Sequence, residues 1–436
     1  MPNASPPPVS AVKAATPLIG IISLLLMLVV CWFIQPAIPT ASIMLVLGAA
    51  IPMIGWEIFI EKAYLRPSSG LILSLKRPSA EILRVTIVKL VGLAVTLFGG
   101  YAFYRYAWWY SGTSHKFYFD LLRTLLPYFL ALAPIYIFMT SRYMLEPKDA
   151  LWHFGALVLL DKRHVSPGKV KEHILGWIIK LFFLALMIYL LPGIVSVVLR
   201  FELSSLVDNS GIQIPVAITF FVQILFVFDV CFGTIGYILT SRLLDSHVVS
   251  VNSQLSAWFA TAICYPPLII MGTGGPLDYR IGTHEWHYWF ADQPLVLWLW
   301  AVSILSLVSI YAWATVIFGI RFSNLTNRGV ITNGPYKYFK HPAYLSKNIF
   351  WWLLHVPFFS TLGSGQVVRN CLLLILVNAI YFLRAKTEEA HLMTDPAYAA
   401  YSRWISKNGL LERAVNGIKR TVTHGLSEGF RVHRRG

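Results

Sequence analysis

Residues 294–320 read PLVLWLWAVSILSLVSIYAWATVIFGI, a run without one charged side chain. A helix rising ~1.5 Å per residue over this length outspans the ~30 Å hydrocarbon core of a bilayer. Similar runs recur over residues 17–34, 41–60, 85–104, 121–140, 174–199, 215–240, 255–271, 344–362 and 367–383. They do not alternate polar with apolar at the period a barrel strand requires. The chain is 56% hydrophobic and 13% charged over 436 residues, too apolar for a soluble globular domain. These features predict an all-α, polytopic integral membrane bundle of about ten transmembrane helices. The run at 255–271 is the weakest, because Pro266-Pro267 would break or kink it.

The net charge of +16 suggests nucleic acid at first sight, but its placement argues for topology. Basic residues collect in alternate loops, over 61–84, 141–173, 241–254, 321–347 and the tail after Tyr401. The tail carries eight basic residues against two acidic ones. The intervening loops and their edges hold few, among them Arg105, Lys116, Arg200, Arg280 and Arg369. This bias predicts cytoplasmic amino and carboxyl termini, with the bilayer as partner and no nucleic acid. In a bacterium this would be the plasma or inner membrane. Cys31, Cys231, Cys264 and Cys371 all fall within apolar runs, without CxxC spacing, and read as packing residues.

Four divisions are expected: a disordered Pro- and Ala-rich start over 1–16, a multi-pass module over 17–290, a catalytic module over 291–415, and a basic tail over 416–436. The apolar piece at 150–160 is too short to span and reads as an interfacial or re-entrant helix.

The chemistry-bearing residues gather in the third division. Gly334-Pro335-Tyr336-Lys337-Tyr338-Phe339-Lys340-His341-Pro342-Ala343-Tyr344 lies between two apolar runs, and Arg384-Ala385-Lys386-Thr387-Glu388-Glu389 closes the next one. A hairpin turn does not need a His, three Tyr and two Lys. Pro342 fixes a first helical position, so the dipole of the helix begun there favours an anion near His341. Asp395-Pro396 starts a further helix that carries Tyr398 and Tyr401 on one face.

The order Gly334-x-Tyr336, Lys340-His341-Pro342-x-Tyr344, Arg384-x-x-x-Glu388-Glu389 and Tyr398-x-x-Tyr401 resembles the isoprenylcysteine carboxyl methyltransferase family, over roughly the last 120 residues. That resemblance implies S-adenosylmethionine as methyl donor, held by Gly334, Tyr336, Lys340, His341, Pro342, Tyr344, Arg384, Glu388, Tyr398 and Tyr401. It implies an acceptor that is a lipid or lipid-linked, and no metal. Tyr344, Glu388 and Glu389 are the candidate catalytic groups, with Glu388, Glu389 or His341 the bases available to a hydroxyl or amine acceptor. Two positions depart from the family pattern. Lys340 stands where Arg is usual, so a bidentate contact is lost, and Ser346 stands where Gly is common. The long amino-terminal portion also exceeds the family's, so a prenylcysteine acceptor does not follow.

Ionisable residues inside apolar runs cost ~2.5–3.5 kcal/mol on insertion scales and usually face a cavity or partner. Asp229 is the deepest, and with Trp152 and His153 it is a candidate for shaping the acceptor site. His284-Glu285-Trp286-His287 lacks the spacing of a helical zinc pair and reads as a loop. Two other functions compete: an NADPH-dependent enzyme similar to sterol reductases, whose last cytoplasmic block differs from Thr387-Glu388-Glu389, and a transporter, which lacks paired broken helices here.

Overall fold

A computed structural model describes residues 6–75, 77–106, 113–208, 211–411 and 413. The helices in chain order are α1 (Ala15–Ile34), α2 (Ile38–Gly55), α3 (Ser79–Tyr106), α4 (Thr113–Tyr143), α5 (Ala150–Val158), α6 (Pro167–Leu199) and α7 (Ile214–Ile238). They continue with α8 (Leu255–Ala262), α9 (Trp286–Trp289), α10 (Pro294–Val316), α11 (Pro342–His355), α12 (Ser364–Leu392) and α13 (Pro396–Asn408). The protein is an all-α membrane bundle.

Among the described residues eight helices, not ten, are long and apolar enough to cross a bilayer: α1, α2, α3, α4, α6, α7, α10 and α12. Both shortfalls have local causes. The run at 255–271 stops as α8 at Ala262, because the prolines that follow at 266 and 267 supply no N–H to a continuing helix. The run at 344–362 stops at Val356, which precedes Pro357 and adopts φ 44°. Its non-helical end is satisfied by protein instead. Thr361 N donates to Gly282 O at 2.8 Å, Ser360 Oγ to the same carbonyl at 2.9 Å, and Thr283 Oγ1 to His355 O at 3.0 Å.

The main core packs α1, α2, α6 and α7 around Leu24, Leu45, Met53, Leu191 and Phe232. A second cluster joins α7 to α10 and α11 through Ile218, Ile304 and Phe350, so the two halves of the chain form one continuous bundle. Buried ion pairing reinforces the seam, with Arg321 meeting Asp245 at 2.7 Å. The helix α5 lies so close to α3 that a Cβ added at Gly155 would stand 2.0 Å from Val88 O. Its N-cap, Asp149, accepts from Trp152 N at 3.1 Å and pairs with Lys89 at 2.9 Å.

The described part of the chain's start lies against the loop after α10. Ala11 N donates to Val330 O at 2.8 Å, Thr332 Oγ1 to Pro8 O at 2.6 Å, and Asn333 Nδ2 to Val12 O at 2.9 Å. Val12 is buried against Ile317 and Ile331. These partners satisfy a Pro-rich backbone that is short of donors. The basic tail at 416–436 lies outside the described residues.

Candidate functional site

The site is assembled from the loop after α10 and from three helices. Gly334 takes φ +57°, and a Cβ there would press on Ile317 at 2.9 Å, so glycine permits both the turn and the close approach. Pro342 occupies the first turn of α11 behind His341, whose backbone is non-helical at φ −130° and ψ 63°. Asp395 caps α13 by accepting from Ala397 N at 2.8 Å, and takes a 2.7 Å bond from Asn327 Nδ2 in the loop. This anchors α13, from which Tyr401 OH donates to Tyr336 O at 2.9 Å. A two-residue antiparallel pairing of Ser250–Val251 with Thr326–Asn327 fixes the far edge of the loop.

These elements enclose a cavity of about 140 Å³ lined by Tyr336, Lys340, His341, Tyr344, Arg384, Glu388, Tyr398 and Tyr401. All eight stand among the sequence candidates for the donor site. The other two, Gly334 and Pro342, shape its backbone without lining it. Arg384 is 4% exposed, and its guanidinium lies 5.1 Å from the ring of Tyr381 and 5.3 Å from those of Tyr344 and Tyr265. Its polar contacts are long, 3.4 Å to Asn324 Oδ1 and 3.5 Å to Tyr265 OH, and its Nε is buried without a hydrogen-bond partner.

The two adjacent glutamates differ. Glu388 Oε2 accepts from Tyr344 OH at 2.8 Å, and Glu388 is the one carboxylate lining the cavity among the described residues. Glu389 does not line it. It pairs with Lys340 and stands 3.6 Å from Lys386 Nζ and 3.7 Å from His341 Nε2. Lys340 Nζ also donates to Ser402 Oγ at 2.9 Å, so the lysine ties the loop to α12 and α13 as a point charge. Burial, then the charge of Glu388, holds the Tyr336 and Tyr398 hydroxyls well above the usual phenol range, so both are neutral donors. Ser346 is buried and donates to Pro342 O at 2.8 Å within its own helix.

Asp229 reaches this region through α10. Tyr311 OH donates to Asp229 Oδ2 at 3.0 Å, and Tyr311 lines the cavity. Beside it Lys347 Nζ lies 5.3, 5.4 and 5.5 Å from the rings of Tyr311, Trp351 and Tyr381. Trp152 and His153 are placed elsewhere. Trp152 packs with Val85 and Ala156 under Lys148, and His153 Nδ1 accepts from Ser166 N at 3.3 Å. Sequence reasoning missed Tyr265, Tyr311, Asn324, Lys347 and Tyr381. Helical spacing carried a signal for two of them, since Lys347 lies three residues past Tyr344 and Tyr381 three before Arg384. His284 stacks on Tyr288 at 4.0 Å, and no group of three or more His, Cys, Asp or Glu suited to a metal occurs among the described residues.

No curated protein and no solved structure matches the chain. Residues 295–394 match the model of the isoprenylcysteine carboxyl methyltransferase (ICMT) family, so the part of the chain that supplies Tyr336, Lys340, His341, Tyr344, Arg384 and Glu388 is similar to a family of membrane methyltransferases.

Proposed function

We propose that the protein is an integral membrane methyltransferase that uses S-adenosylmethionine and methylates a lipid or lipid-linked acceptor at the cytoplasmic face. The observation that carries this reading is the pairing of charges on the cavity wall. Arg384 is a buried cation whose neighbours are aromatic faces and not carboxylates, and one helical turn along α12 stands Glu388. An amino acid zwitterion needs this complement, a cation for its carboxylate and an anion for its ammonium.

The donor, when bound, supplies an electrophilic methyl group on a sulfonium. The residues present fit such a group. Arg384 has an unpartnered Nε to offer a carboxylate, and His341 Nε2 is buried beyond hydrogen-bond reach of Glu389. Glu388 serves an ammonium or ribose hydroxyls, and Tyr336, Tyr398 and Tyr401 offer aromatic surface to the adenosine. Lys340 and Glu389 neutralise one another and hold the loop against α12, which assigns Glu389 a positioning role.

Methyl transfer asks little of the protein beyond alignment and water exclusion. A carboxylate or phosphate acceptor needs no base. For a hydroxyl or amine acceptor, Glu388 Oε2 is the available proton acceptor, and Tyr344 OH orients it. The Asp229–Tyr311 pair and Lys347 border the side facing the bundle interior, where an acceptor arriving through the bilayer would place its polar head.

The test is a pair of binding measurements on purified protein with labelled S-adenosylmethionine and labelled NADPH, followed by incubation of extracted membrane lipids with methyl-labelled donor. The expected result is binding of the former alone and label in a hydrophobic product. NADPH binding, or label confined to a water-soluble acceptor, would overturn the donor or the acceptor assignment respectively.

A further inference from the structure

A second and larger cavity, of about 390 Å³, lies on the other side of the loop at 323–328. It is bounded by α3, α4, α6, the end of α7 and the segment after it, and shares Ser323, Thr326 and Arg328 with the donor cavity as a common wall. Five cations line it, Lys89, Lys169, Lys180, Arg242 and Arg328, against Asp149 and Glu172. Each acid is already paired, Asp149 with Lys89 at 2.9 Å and Glu172 with Lys169 at 3.2 Å.

The remaining three cations have no carboxylate within ion-pair distance among the described residues. Lys180 Nζ has a 3.4 Å contact to Thr240 Oγ1 and the face of Trp177 at 5.3 Å. Arg242 donates to Ser69 O at 3.0 Å and approaches His247 Nε2 at 3.3 Å. Arg328 is 4% exposed and spends its donors on backbone carbonyls, including Gly236 O and Leu239 O at the end of α7. Two further polar atoms on the lining, Thr326 Oγ1 and His247 Nδ1, are buried without a hydrogen-bond partner.

Three unpaired cations around one interior space repel each other and are costly to hold in low dielectric. A basic loop would ordinarily turn such groups to water. Here three cations without a carboxylate line one cavity beside a hydroxyl and an imidazole nitrogen that lack hydrogen-bond partners, which is the composition of an anion site and not of a packing defect. A phosphate group matches it in charge and in number of acceptor oxygens.

We infer that this cavity binds a phosphate-bearing anion, held chiefly by Lys180 and Arg242 with Arg328 as a fixed charge behind them. The site is independent of the methyl-donor assignment, and its position across the shared wall sets an anionic group next to the donor cavity. The phosphate has two sources, a lipid headgroup or a free anion.

Full-length protein in detergent is titrated calorimetrically with inorganic phosphate, and protein in nanodiscs of phosphatidylcholine, with or without phosphatidylglycerol, is assayed for retained lipid by native mass spectrometry. Lys180→Met and Arg242→Gln are compared with the conservative Lys180→Arg, and S-adenosylmethionine titration of every variant reports whether the bundle is intact. Saturable phosphate binding, or selective retention of phosphatidylglycerol, should weaken by about tenfold or more in the first two variants and survive in the third. Phosphate alone identifies a free anion, and phosphatidylglycerol alone a headgroup. Absence of both ligands from the wild type, or equal binding in all variants that still take the donor, overturns the inference. Failure of donor binding in a wild type that still holds phosphate would reject the methyltransferase reading and leave this one standing.

Discussion

Tyr344 OH donates to Glu388 Oε2 at 2.8 Å, while the neighbouring Glu389 is enclosed by Lys340, Lys386 and His341. Two adjacent carboxylates thus have separable duties. Glu388→Gln should weaken donor binding by about one to two orders of magnitude, the worth of ~1.5–3 kcal/mol for a hydrogen bond to a charged group, with the melting temperature little changed. Glu389→Gln should instead lower the melting temperature through the lost pair with Lys340. Calorimetric titration and thermal melting on both variants measure this. Equal effects on binding would return both residues to one role.

Arg384 offers a second contrast. Its guanidinium is fixed by three aromatic rings and long polar contacts, not by a carboxylate. Arg384→Lys keeps a charge and loses the planar fork, so donor affinity should fall by at least about tenfold. Donor titration of the variant, with circular dichroism as a folding control, checks the expectation. Unchanged affinity would show that the carboxylate of the ligand lies elsewhere.

The buried pair Asp245–Arg321 joins the segment after α7 to the loop after α10, and Asp245 Oδ2 also accepts from Ser68 Oγ at 2.7 Å. Removing one member strands the other without a counter-charge. Asp245→Asn should therefore cost about 3–5 kcal/mol, visible as a large drop in melting temperature in detergent. A shift within error would mean that Arg328 O, which Arg321 also meets at 2.8 Å, suffices to hold the guanidinium.

His247 supplies the pH dependence. Burial, then the charges of Arg242, Arg321 and Arg328 opposed by Asp245, pulls its imidazole down to about 4 from an ordinary 6.5. The unfolded chain therefore takes up a proton between those values that the folded chain refuses. Stability from this group is complete above pH 6.5 and is lost as pH falls towards 4. Melting temperature should drop less steeply across that window in His247→Gln than in the wild type. Parallel slopes would indicate that other groups dominate.

Membrane orientation is tested at two exposed positions. Glu285→Cys, in the loop before α10, should react with an impermeant thiol reagent from outside sealed cells. Lys337→Cys, in the site loop, should not. The reverse labelling would place the donor cavity away from the cytoplasm and remove the proposed donor supply.

Much of this architecture was legible because bilayer-spanning helices announce themselves through length and absence of charge, as residues 294–320 do. That Tyr336, Lys340, His341, Tyr344, Arg384, Glu388, Tyr398 and Tyr401 share one cavity was legible because they lie in one short region with fixed spacing. Tyr265 and Asn324 were not, since each reaches Arg384 across a long sequence separation that no local pattern encodes. Two of the ten apolar runs hold no spanning-length helix among the described residues, because hydropathy does not register where backbone hydrogen bonding stops. Val356 before Pro357, and the two prolines after Tyr265, end helices inside runs that remain apolar. The second cavity was hidden for a third reason, since Lys180 reads as a lone lysine inside an apolar run and Arg242 as an ordinary loop charge until the fold brings them around one space.

The docking of residues 8–12 onto Val330, Thr332 and Asn333 has a consequence for how the chain is made. The partners are separated by 321 to 324 positions in the cases where side chains bond. At translation speeds of about 5–20 residues per second, the first segment emerges roughly 15–60 s before its docking surface exists. The loop that carries Tyr336, Lys340 and His341 is thus completed by a much earlier part of the nascent chain, and only after residues 330–333 have been synthesised. Premature release of a truncated chain would leave that early segment without its surface, so an incomplete product would lack a finished cavity around Tyr336 and His341 from the outset.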